Sequence, residues 1–214
     1  MTYEISVSQS KGLTQRLGWT PAKVMVKYIE GALPESEVFI DNRTVDVDDV
    51  SDCRSGVLGN WADYEVQAKD SNILLLDDTG GGCAYIGGTY CIAPAGNINQ
   101  DVPYQAVGEG PLQRNIHAVL HELGHNLGVK HDNDPNQSGN QHTGSGWNEH
   151  NTWFGFRLPW GGRWHRTPTV AGNEVVNLCD EWVTRREYGK VVHHQYYTTC
   201  ALEHFYALED SNDE

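Results

Sequence analysis

His121-Glu-Leu-Gly-His-Asn-Leu-Gly-Val-Lys-His131 is the stretch on which the reading of this 214-residue chain turns. A helix advances about 3.6 residues per turn, so His121 and His125 leave one face, one turn apart. That is the spacing two imidazoles need to share a zinc ion, with Glu122 beside them to act on a water. Gly128 lacks a Cβ, so the chain is free to leave the helix there and return His131 as a third ligand. Three protein ligands leave one tetrahedral corner open, and an open corner means catalysis rather than structural zinc. The plainer account is an amphipathic core helix with Ile116, Val119, Leu120, Leu123 and Leu127 as its buried stripe. It is compatible with the first but leaves three histidines and a glutamate at ligand spacing unexplained. His117, one turn earlier, would close the open corner as a fourth ligand; it reads as a packed or supporting histidine.

The eleven residues fill His-Glu-x-x-His-x-x-Gly-x-x-His, and the chain here resembles the metzincin zinc peptidases; with Asp132 following, the likeness is to the adamalysin (reprolysin) branch. Gly82-Cys-Ala-Tyr-Ile-Gly-Gly-Thr-Tyr-Cys91 is similar to the Gly-x-Ala-x-x-Gly-Gly-x-Cys run upstream of the zinc helix in that branch. The likeness runs from about Asn72 to Asp132. It implies an α+β fold: a twisted mixed sheet with two main helices in an upper lobe (about 1–128), a zinc cleft, and a smaller irregular lower lobe (about 129–214), in one catalytic domain. It also implies an edge strand that binds extended peptide, and a Cys91 disulfide toward the C-terminal part.

The family's methionine turn lies beneath the zinc, yet the only methionines here are Met1 and Met25. Thr199-Cys-Ala-Leu-Glu-His-Phe205 is the best stand-in, with Leu202 where the methionine would lie; leucine and methionine are close in volume. His204 falls where some branches place a tyrosine that stabilises the transition state, and reads equally as a surface histidine.

Composition limits the alternatives. Fifteen Lys and Arg against twenty-nine Asp and Glu give a net charge of −14, a surface that repels nucleic acid. Only six of the basic residues are lysine, which suits either a halophilic source or an acidic secreted protein. No apolar run nears the ~18 residues of a bilayer span, and no basic-then-apolar leader opens the chain, as expected for a processed form or a cytoplasmic one. Five cysteines (Cys53, Cys83, Cys91, Cys179, Cys200) lack Cys-x-x-Cys spacing, so disulfides and an extracellular location are expected, with the pairing open. A monomer is expected.

Local patterns predict strands over Tyr3–Ser8 and Lys23–Ile29, a helix over Asp46–Trp61 and a buried strand over Asn72–Asp77. Cys83–Ile92 is expected as the edge strand or, equally, an edge hairpin, and 93–110 as loop with Pro111 opening the zinc helix. From Asp132 to Gly162 the long loop carries Trp147, Trp153 and Trp160, followed by Trp164, as pocket wall or local core, and Asp132 and Asp134 as weak calcium candidates. A short helix over Asp180–Tyr188 and a strand over Val191–Tyr197 complete the expectation. Together these point to a zinc metalloendopeptidase with one Zn2+ held by His121, His125 and His131 and Glu122 as general base. A non-catalytic peptide-binding scaffold and a narrow aminopeptidase are the alternatives.

Overall fold

The structure, a computed structural model, describes residues 2–47, 61, 69–78, 81–85, 87–128, 145–148, 152–153, 156–157, 163–166, 190–197, 201–203 and 205–206. The expected strand at the N-terminus is β1 (Tyr3–Ser10), followed by α1 (Lys11–Leu17), α2 (Thr20–Ala32) and β2 (Ser36–Val45). Then come β3 (Ser71–Leu76), β4 (Cys83–Ala84), β5 (Tyr90–Pro94), β6 (Val107–Gly108) and the long helix α3 (Pro111–Asn126). The later strands are β7 (Ser145–Asn148), β8 (Thr152–Trp153), β9 (Phe156–Arg157), β10 (Arg163–Arg166) and β11 (Lys190–His194).

A five-stranded mixed sheet in the order β2-β1-β3-β5-β4 anchors the first half. β1, β2, β3 and β5 pair in parallel, and only β4 runs antiparallel, against β5. Side chains on a strand alternate between faces, and β3 separates accordingly. Ile73 and Leu75 join the main core with α2 and α3, while Leu74 and Leu76 join Val45, Trp61 and Ile92 in a second cluster. A strand buried on both faces reads as an unbroken apolar run, which is why Asn72-Ile-Leu-Leu-Leu was legible. The α+β class expected from the chain is the one observed.

Two expectations need correction, and one open alternative is resolved. Lys23–Ile29 is not a strand but the middle of α2. Its alternation misled, whereas Pro21, Ala22, Val24, Met25, Tyr28, Ile29 and Ala32 are all buried at helical spacing, with Pro21 in the first turn. Of the two readings open for Cys83–Ile92, the hairpin is the one formed: β4 lies at one edge of the sheet and β5 inside it. The second half is not simply irregular. It holds a sheet in the order β6-β11-β10-β7, and β6 comes from before α3. The backbone N–H of Gln195 donates to the Ala106 carbonyl at 2.8 Å, extending the contact between β6 and the end of β11.

Among the described residues no helix is long and apolar enough to cross a membrane. The expected helix over Asp46–Trp61 lies outside the described residues except at its ends; Trp61 is helical and buried. Asp180–Tyr188 and the side chains of Trp147, Trp153, Trp160 and Trp164 also lie outside them, as do Asp132 and Asp134.

Candidate metal centre

α3 opens at Gly110, whose φ of 105° only glycine adopts readily, with Pro111 in the first turn where a missing N–H goes unused. Ile116, Val119, Leu120 and Leu123 pack into the main core, and Leu127 follows the helix into the same core. That stripe fixes the rotation of the helix, and rotation decides where the polar residues point. His121 and His125 emerge together: their Nε2 atoms lie 3.1 Å apart, with ring planes at 79°. Two zinc–nitrogen bonds of about 2.1 Å at a tetrahedral angle set their nitrogens roughly 3.4 Å apart, close enough to the observed separation that the pair fits one ion. Without a cation, that approach requires one ring to donate to the other.

Glu122 is 6% exposed, and burial pushes its carboxyl up to about 8. A cation beside it favours the carboxylate and opposes that effect. At the helix end Gly128 has φ 93°, and its N–H donates to the His125 carbonyl at 2.9 Å, the left-handed exit the sequence predicts. His131, the third expected ligand, lies outside the described residues. Among those described, no group of three metal-binding side chains is assembled.

The β4–β5 hairpin is fastened to the C-terminal turn of α3. Gly87 N–H donates to the His125 carbonyl at 2.9 Å, with Gly87 itself at φ 64°. Asn126, nearly buried, satisfies its amide when nitrogen faces the Tyr90 and Tyr85 carbonyls (3.0 and 3.2 Å) and oxygen accepts from Ser71 Oγ at 2.7 Å. One side chain thus ties β3, β5 and the hairpin to α3. Sequence reasoning missed Asn126; its only signal was an amide on the flank of an apolar helix face.

Beneath the helix, Tyr197 is buried and its hydroxyl donates to the Leu120 carbonyl at 2.5 Å. Its ring packs edge-on against Phe205, which brings the C-terminal segment under α3. Residues 201–203 are helical rather than a turn, and Leu202 is half-buried against the main core; His204 lies outside the described residues. His117 is packed, as expected, with Nδ1 3.4 Å from the His194 carbonyl and its ring edge-on to His193.

The Cys91 expectation fails. Cys91 is a free, fully buried thiol on the α3 side of β5, pushed up by burial and by Glu122. It shares the main core with Tyr197, Ala201 and Phe205 of the C-terminal part, yet its thiol is unbonded. Cys83 is disulfide-bonded, and no disulfide joins two described residues.

Comparison with known proteins gives three results. The profile of metallo-peptidase family M12, reprolysin type, matches residues 41–152. The crystal structure of archaemetzincin (amzA) from Methanopyrus kandleri is similar over 62% of this chain and 77% of that one, with 16% identity and a TM-score of 0.44. No curated protein sequence matches. The matched span covers just over half of the chain and includes the Gly82 hairpin, the paired histidines and Glu122; the chain belongs to the M12 metallopeptidases, a family of zinc-dependent peptidases.

Proposed function

We propose that the protein is a zinc-dependent endopeptidase whose ion is held by His121, His125 and His131. The observation that carries this reading is the 3.1 Å approach of two imidazole nitrogens on one helix face, with a buried carboxyl group between them in sequence. Zinc bound there would supply a Lewis acid for the scissile carbonyl and bring the pKa of water to roughly 7. Glu122 takes the proton from the attacking water and passes it to the leaving amine nitrogen. Burial favours protonation of that carboxylate, and the cation beside it would offset the effect. β4 ends the sheet, so an extended peptide would add along Cys83–Ala84 as a further strand. The disulfide at Cys83 and the acidic surface suit work outside the cell on protein or peptide substrates, as a monomer.

Cleavage of an N-terminally blocked, casein-type substrate tests this directly. Internal cleavage that stops with chelator and returns with zinc is expected. Trimming of free N-termini alone would instead support an aminopeptidase. Peptide binding without cleavage in zinc-loaded protein would leave a non-catalytic scaffold.

A further inference from the structure

We infer that Gly82 is a positioning residue for the peptidase reaction: its bare backbone is the seat against which the Glu122 side chain is held. A Cβ built at residue 82 would stand 2.7 Å from Glu122 Cγ and 3.0 Å from its Oε1, with the Ile92 carbonyl oxygen at 2.5 Å. Backbone conformation is not what demands glycine there, since the positive-φ glycines among the described residues are Gly18, Gly87, Gly110 and Gly128. Space is the demand. Gly81, one residue earlier, has nothing within 4 Å of its own Cβ position, so two adjacent glycines meet opposite surroundings.

The seat is fixed from both sides. Gly82 leads directly into β4, where Cys83 pairs with Ile92, so the hairpin sets its height above α3. Gly87 and Asn126 hold that hairpin to the end of the same helix. Glu122 carries three side-chain rotors, and a carboxylate that must meet one water gains from losing that freedom before substrate arrives. A methyl group at position 82 removes the space the side chain occupies and drives the carboxylate away. Displacement of about 1 Å is enough to reduce turnover by roughly 10²-fold.

The inference rests on Glu122 being the base, and a double-mutant cycle separates the two ideas. Gly82→Ala is expected to lower kcat roughly 10²-fold, with one zinc retained and KM changed little. Gly81→Ala should match wild type. In a Glu122→Ala background neither Cγ nor the carboxylate remains for the added methyl to displace, so Gly82→Ala should cost the residual turnover only a few-fold more. The inference is overturned by wild-type kcat in Gly82→Ala, or by an equal loss in both backgrounds. Loss of zinc or of the folded state that persists in the double variant overturns it too, because the Ile92 contact alone would then explain the glycine. An active Glu122→Gln variant removes the base assignment itself; inactive Glu122→Gln beside fully active Gly82→Ala removes only the seat.

Discussion

Replacing Glu122 with glutamine should move activity and stability in opposite directions. The substitution keeps size and shape, so zinc stays bound, but the side chain no longer accepts a proton. Losing a general base lowers turnover by about 10²–10⁴-fold. In metal-free protein the same change relieves a buried carboxylate, because burial raises the folded-state value from 4.5 to about 8. The sign follows from linkage. A group whose folded pKa is raised contributes stability fully present below the unfolded value and lost as pH rises through the folded one. That separation is about 5 kcal/mol in total, of which roughly 4 kcal/mol is lost by pH 8. Chelated wild type should therefore weaken relative to chelated Glu122→Gln between pH 5 and pH 8, reaching a deficit of a few kcal/mol. Urea unfolding of both proteins with chelator at the two pH values measures the difference, and peptide cleavage with bound-zinc analysis completes the assay. A stability gap that ignores pH would refute the buried-carboxylate argument. Near-wild-type cleavage by Glu122→Gln would refute its role as the base.

Other perturbations follow from the same geometry. His121→Ala or His125→Ala should abolish both bound zinc and cleavage, as measured by elemental analysis; full zinc occupancy in either variant would contradict the ligand assignment. Tyr197→Phe removes the buried hydrogen bond to the Leu120 carbonyl and should destabilise the fold by about 0.5–1.5 kcal/mol in urea unfolding. Asn126→Ala removes three contacts that register the hairpin on α3. It should raise KM for extended peptides more than it lowers kcat, and an unchanged KM would remove Asn126 from the hairpin's anchoring.

The fold was partly legible because some signals are local. His121, Glu122 and His125 declared themselves through helical spacing, and the apolar stripe from Ile116 to Leu127 supplied the helix they ride on. β3 announced itself as a run buried on both faces. β2 gave little sign, since it forms the far edge of the sheet and is mostly half-exposed. α2 was misread because Lys23–Ile29 alternates as well as it repeats every three to four residues, and only packing chose between them. Cys91 carried a family expectation of a disulfide, whereas its buried thiol is free.

By itself the chain determined the pairing of His121 and His125 on one helix face, because residue type and spacing along a helix are properties of neighbouring residues and a fixed pitch. It also determined the net acidic charge, and its family resemblance implied the α+β class. Tertiary packing alone decided which strand forms the sheet edge, how β6 joins the second sheet, and what lies against the glutamate. Gly82 and Glu122 are forty residues apart in the chain, and no local pattern records a distance of 3.0 Å between a missing Cβ and a carboxyl oxygen. Such contacts exist only once the β4–β5 hairpin and α3 are pressed together by the core beneath them.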